Sequence, residues 1–139
     1  MIVVLDTNVV IAALVANGLC RELLHRAIRR RVLATSDALL DELDTTLRDK
    51  FDVTPSVAAF LDLFRASIRV VEAKALSERV CRDATDDVVL ATAVAAEANT
   101  IVTGDQDLLV LGSYQGISIV SPRSFLERLD RLALQPDPE

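Results

Sequence analysis

The chain has 139 residues, 51% of them apolar, 4% aromatic, with a net charge of −6 and two cysteines. These values describe one globular domain with an aliphatic core. They exclude a disordered chain, a disulfide scaffold and a protein that coats nucleic acid by bulk positive charge. No stretch reaches the ~18 uninterrupted apolar residues of a membrane span, and the N-terminus has no basic region before its apolar run, so a cytoplasmic protein that does not engage membranes is expected.

Residues 2–5, IVVL, read as a buried strand, and a helix follows from about Asn8 to Ala16, stopping at Asn17-Gly18. Residues 20–31 form a second helix, with Leu23, Leu24, Ala27 and Ile28 on one side. VLAT (32–35) is a second strand, and Ser36 caps a helix running to about Lys50, with Asp37 in its first turn. Thr54-Pro55 opens another helix through Arg65. SIRVV (67–71) is a third strand, and a helix opens at Asp86 or Asp87 and runs to about Ala98. TIVT (100–103) and ISIV (117–120) are the fourth and fifth strands, and Ser121-Pro122 starts a last helix through about Leu132. Residues 1–134 make the domain, and the polar, proline-bearing tail 135–139 frays. This alternation predicts a three-layer α/β/α sandwich around a parallel sheet, with right-handed crossovers.

Asp6 interrupts the apolar run VVLDTNVV (3–10) directly after the first strand, and Asp105 follows the fourth by one residue. Open parallel sheets carry their sites beyond the carboxyl ends of their strands. If those two strands are neighbours, Asp6 and Asp105 meet there, and Asp87 opens the helix that leads into the fourth strand. Clustered carboxylates repel one another, and a hard dication such as Mg²⁺ or Mn²⁺, held by oxygen ligands, relieves that cost. A single aspartate at a helix start is ordinarily a cap, and Asp83, Asp86 and Asp107 also read as caps or solvated acids.

No other chemistry competes. His25 is the single histidine, which removes a paired-histidine mechanism and leaves it as a surface or rim residue. Cys20 and Cys81 lack CxxC spacing and read as free thiols. There is no glycine loop to cradle phosphate.

Four segments together resemble a PIN domain, specifically the toxin-like PIN nucleases related to VapC: LDTNVVI (5–11), SDALLDELDTTL (36–47), RDATDDVVLATA (82–93) and TIVTGDQDLL (100–109). The resemblance implies a five-stranded parallel sheet in the order 3-2-1-4-5. It places Asp6, Glu42, Asp87 and Asp105 on the family's acidic quartet, which binds Mg²⁺ or Mn²⁺ and activates water. Thr7 and Asn8 match the polar residues after the first acid, Ser36 and Thr103 match hydroxyl positions near the site, and Asp86 and Asp107 match secondary acids. Ala84 stands where the family often has proline. Glu42 rests on the resemblance more than on pattern, with a solvated face as the other reading: on a helical wheel it falls ~60° outside the apolar arc of Leu39, Leu40, Leu43, Leu47 and Phe51, whereas Asp44 falls ~20° outside.

The implied reaction is hydrolysis of single-stranded RNA by a metal-activated water, leaving 5′-phosphate and 3′-hydroxyl ends. The implied partners are a cognate antitoxin and a second copy in a homodimer. Arg21, Arg26, Arg29 and Arg30, with Arg31, could line an RNA groove, contact an acidic antitoxin or form a solvated face. A haloacid-dehalogenase-type phosphatase would need an acid where Asn8 stands, and a receiver domain would need a lysine within 117–124. A catalytically silent PIN module that only binds its antitoxin is the non-enzymatic alternative.

Overall fold

The computed structural model describes residues 1–16 and 18–134. Among them, strands and helices alternate as β1 (Val3–Leu5), α1 (Thr7–Val15), α2 (Leu19–Arg30), β2 (Leu33–Ser36), α3 (Asp37–Lys50), α4 (Pro55–Ser67) and β3 (Arg69–Val71). The second half adds α5 (Ala84–Ala95), β4 (Thr100–Val102), α6 (Gln106–Leu111), β5 (Ser113–Tyr114), β6 (Ile117–Val120) and α7 (Pro122–Ala133). The sheet order is β3-β2-β1-β4-β6-β5. All pairings are parallel except β5 with β6. The five expected strands therefore lie in the expected order, with β6 as the fifth.

One strand and one helix were not expected. β5 turns back against β6 through Gln115 and Gly116, both with positive φ (48° and 81°). Two consecutive left-handed residues make a tight hairpin turn whose twist suits the strands. The expected turn at Asn17 and the fraying of 135–139 lie outside the described residues, and Ala16 takes the C-cap of α1.

Each sheet face packs its own core because strand side chains alternate. Val3 and Leu5 face one cluster with Val9, Val10, Leu23, Leu24, Leu43, Leu47, Phe125 and Leu129. Val4 faces the other, with Leu90, Ala93, Ile101, Leu108 and Ile119. This is the three-layer sandwich expected. No single helix among the described residues is long and apolar enough to cross a membrane.

Two local devices fix helices that matter below. Ser36 Oγ accepts from Leu39 N (3.3 Å) as the α3 cap and shares a hydrogen bond with Thr92 Oγ1 of α5 (2.8 Å). It touches none of the carboxylates in these contacts; it ties the helix carrying Glu42 to the helix carrying Asp86. Ser36→Ala is expected to cost about 1–2 kcal/mol of stability, measured by urea unfolding, since a cap and a buried partner are lost together. Arg21, in turn, donates from Nε to Ala13 O (3.0 Å) and from Nη2 to Leu14 O (3.2 Å), satisfying the carbonyls that end α1.

Candidate metal centre

The β1–β4 pairing runs through Leu5 opposite Val102, and Asp6 N donates to Val102 O (2.9 Å). This register puts Asp6 beside Thr103, at the carboxyl edge of the sheet. Thr103, fully buried, donates its hydroxyl to Asp6 Oδ2 (2.7 Å) and accepts from Asp105 N (3.0 Å). One threonine therefore orients the acid that follows β1 and anchors the backbone of the acid that follows β4. Asp105 caps α6, its Oδ1 accepting from Asp107 N (2.8 Å).

α5 supplies the next acid. One carboxylate oxygen each from Asp86, Asp105 and Asp107 lies within 4.8 Å of the others. Asp86 is only 6% exposed, and its Oδ2 is buried with no hydrogen-bond partner among the described residues. Burial, and then the charges of Asp105, Asp6, Asp83 and Asp107, push its pKa up to about 6. Asp6 is raised as well, by burial and by Asp105, against the pull of Thr103 and of the Asn8 and Thr7 amides.

Glu42 reaches the same edge from α3. Desolvation and the neighbouring Asp6 raise its pKa, with a smaller push from Asp83, and the Thr7 hydroxyl offsets part of the rise. Thr7 Oγ1 is itself buried without a hydrogen bond of normal geometry. Asn8 is exposed at the start of α1. Asp44, which the helical wheel favoured over Glu42, is paired with Arg65.

The structure does not bring Asp87 into this cluster. Its carboxylate accepts from Cys81 N (2.8 Å) and Val80 N (3.2 Å) and pairs with Arg79 (3.3 Å). Desolvation works to raise its pKa, but the Cys81 and Val80 amides, the Cys81 thiol and Arg79 outweigh it and leave it lowered. The physical reason is helix phase. Successive residues point ~100° apart, so adjacent aspartates cannot both face the cluster, and Asp86 takes that direction. Beside Asp87, the buried Cys81 thiol is pushed up to about 12 by burial and by that carboxylate, so it is inert as a nucleophile. Ala84 opens α5, and Asp83 supplies the cap that fixes this start, accepting from the Thr85 amide (3.0 Å) and hydroxyl (2.8 Å).

Two of the basic residues on α2 have partners within the fold. Arg21 closes α1, and Arg26 pairs with Asp130 of α7 (2.8 Å) and Glu22 (3.8 Å). Arg29 and Arg30 are exposed in the last turn of α2, where a positive charge suits the helix dipole. His25 is exposed, edge-on to Phe60 with ring centroids 5.9 Å apart. The acid of α5 that the structure does bring to the cluster is Asp86, to which the resemblance gave only a secondary place. In the structure it shares its side of α5 with the fully buried Leu90 and Ala93, four and seven residues on.

The donor set suits a hard cation. It is all oxygen, comes from separate segments, and contains a buried carboxylate oxygen that nothing among the described residues satisfies. Its three carboxylates meet one paired cation, Arg82 on Asp107, and a dication would neutralise the excess negative charge.

The PIN-domain family model matches residues 2–107. No curated protein sequence matches the chain significantly. Among solved structures, the crystal structure of VapBC2 from Rickettsia felis, bound to a DNA fragment from their promoter, contains a chain similar to this one. The TM-score is 0.63 at 18% identity, covering 87% of this chain and 98% of that one. With its sheet order, its edge-of-sheet carboxylates and the family match over three quarters of its length, the chain belongs to the PIN-domain family.

Proposed function

We propose that the protein is a divalent-metal-dependent endoribonuclease that hydrolyses phosphodiester bonds of single-stranded RNA, and that it is the toxin of a toxin–antitoxin pair. The observation that carries this reading is the convergence of Asp86, Asp105 and Asp107, with a buried, unpartnered oxygen on Asp86. PIN-family membership supports nuclease chemistry, and the likeness in fold to a VapBC2 chain supports an antitoxin partner.

Asp6, Asp86, Asp105 and Asp107 would hold Mg²⁺ or Mn²⁺, with Glu42 beside them. When bound, the cation supplies a Lewis acid for the phosphate oxygen and lowers the pKa of a bound water. The chain's own groups prepare that chemistry. Thr103 fixes Asp6 before any cation arrives, and the Asp107 amide fixes Asp105. Glu42, half-buried with a raised proton affinity, is suited to accept the proton of the attacking water. Water as nucleophile leaves a 5′-phosphate and a 3′-hydroxyl, with no part for the 2′-hydroxyl. The antitoxin would cover the carboxylate edge.

Incubation with total RNA tests the reading. Cleavage is expected with Mn²⁺ or Mg²⁺ and none with EDTA, and the mapped products are expected to begin with 5′-phosphates. Cutting that survives EDTA, or cyclic 2′,3′-phosphate ends, would contradict it.

A further inference from the structure

A chain of net charge −6 that gathers acids at one sheet edge must still hold a polyanion there. The cation nearest to that need is Arg82. Its Nη2 donates to Asp107 Oδ1 (2.7 Å), and its side chain is 87% exposed. The pair links residues 25 apart in sequence, so Arg82 reaches across to the acid cluster from a different segment.

The backbone on either side of Arg82 is fixed. Before it, Cys81 N donates to Asp87 (2.8 Å), and Arg79 Nη2 donates to the carbonyls of Cys81 (3.3 Å) and Arg82 (2.8 Å). After it, Asp83 caps α5 through the Thr85 amide. Asp87 thus anchors a hydrogen-bonded platform, and the platform presents one exposed guanidinium at the rim of the cluster. This gives Asp87 a role that its distance from the cluster otherwise leaves without one.

We propose that Arg82 is a substrate-binding residue that grips an RNA phosphate beside the acid cluster, using Asp107 as its resting partner. The proposal rests on the ribonuclease reading and identifies one of the groups that holds the RNA. An exposed ion pair is weakly held. Asp107 attracts Arg82 less once its charge is shared with a dication, and the guanidinium, with its several N–H donors, is then free to take a phosphate in a forked hydrogen bond. Because the contact is to the backbone, it is indifferent to base sequence.

The test measures binding of a fluorescein-labelled single-stranded oligoribonucleotide by anisotropy in Mn²⁺, across a range of salt. The proteins are Glu42→Gln, which spares the three-acid cluster and keeps the RNA intact, and the same protein with Arg82→Ala or Arg82→Lys added. Arg82→Ala is expected to weaken binding roughly three- to tenfold for any sequence and to lower the salt slope by about 0.7, the value of one phosphate contact on a single strand. Arg82→Lys is expected to keep the salt slope and lose part of the affinity. Uptake of Mn²⁺ by the RNA-free protein, followed by electron paramagnetic resonance, should be unchanged or tighter in Arg82→Ala, because a competing cation has gone.

Unchanged or tighter RNA binding in Arg82→Ala would overturn the proposal. So would weaker Mn²⁺ uptake in step with weaker RNA binding, since Arg82 would then only steady Asp107. The ribonuclease reading fails separately. A wild-type protein that leaves RNA uncut, while Arg82→Ala still costs RNA affinity and salt slope, keeps the grip and loses the nuclease.

Discussion

Asp86→Asn is expected to abolish RNA cleavage, with a loss of at least about 10²-fold, the scale seen when one preorganised electrostatic group is removed from a reaction centre. The fold should survive the change, because Asp86 Oδ2 has no hydrogen-bond partner among the described residues to lose and the substitution keeps the side chain's shape. Asp87→Ala is expected to behave in the opposite way. Its carboxylate holds the amides of Val80 and Cys81 and the guanidinium of Arg79. Removing it should cost about 1.5–3 kcal/mol, the range for hydrogen bonds to a charged group, and lower Tm by several degrees. Paired cleavage assays and thermal melts separate the two. Equal loss of cleavage in both variants, with Asp86→Asn the less stable, would reverse the assignment drawn from helix phase.

The metal-free protein is expected to lose stability as pH rises from about 4 to 6. Folded Asp86 keeps its proton up to about pH 6, whereas the unfolded chain gives it up near the ordinary aspartate value of 3.8. Asp6 and Glu42 are raised in the same direction. The folded state therefore binds more protons across that window, and stability falls as they leave. For Asp86 the loss by pH 7 amounts to at most about 3 kcal/mol, because a tenfold difference in proton affinity between the folded and unfolded chain is worth about 1.36 kcal/mol. Asp83 and Asp87 act oppositely: their lowered values contribute stability above about pH 4 that is lost on further acidification. Melts in EDTA at about pH 4.5, 5.5 and 7 should thus show a falling Tm, and added Mn²⁺ at pH 7 should restore it. Asp86→Asn should flatten the profile and raise the metal-free Tm at pH 7, so the variant that loses activity gains stability. A profile in EDTA that is flat or climbs over this range would contradict the crowded-carboxylate account.

The alternation of strands and helices was legible because several strands are short apolar runs ended by a recognisable helix start, such as Ser36-Asp37 after β2 or Ser121-Pro122 after β6; the strand order was implied by the resemblance to PIN domains. The pattern put Asp6 and Asp105 at strand ends, and the order implied by the resemblance made those ends neighbours. The choice between Asp86 and Asp87 was not legible. The α5 sequence VVLATAVA is apolar on almost every side, and the helix is buried on several, so no stripe in the sequence fixes its phase. The competing claim on Asp87 comes from the amides of Val80 and Cys81, in a segment with no periodicity to read. The hairpin of β5 was missed for a different reason: its turn pairs glycine with Gln115 rather than the usual asparagine or aspartate. The sequence left the arginines of α2 open between an RNA groove, an antitoxin contact and a solvated face, because charge periodicity shows direction and not partners. Arg21 and Arg26 find theirs at the end of α1 and on α7.

The most direct test is a Mn²⁺ titration of the metal-free protein at pH 7, followed by electron paramagnetic resonance, for wild type, Asp86→Asn and Asp87→Asn. The account predicts saturable uptake by wild type, retained in Asp87→Asn and lost in Asp86→Asn. No uptake by wild type, or uptake that Asp86→Asn leaves intact, would contradict it.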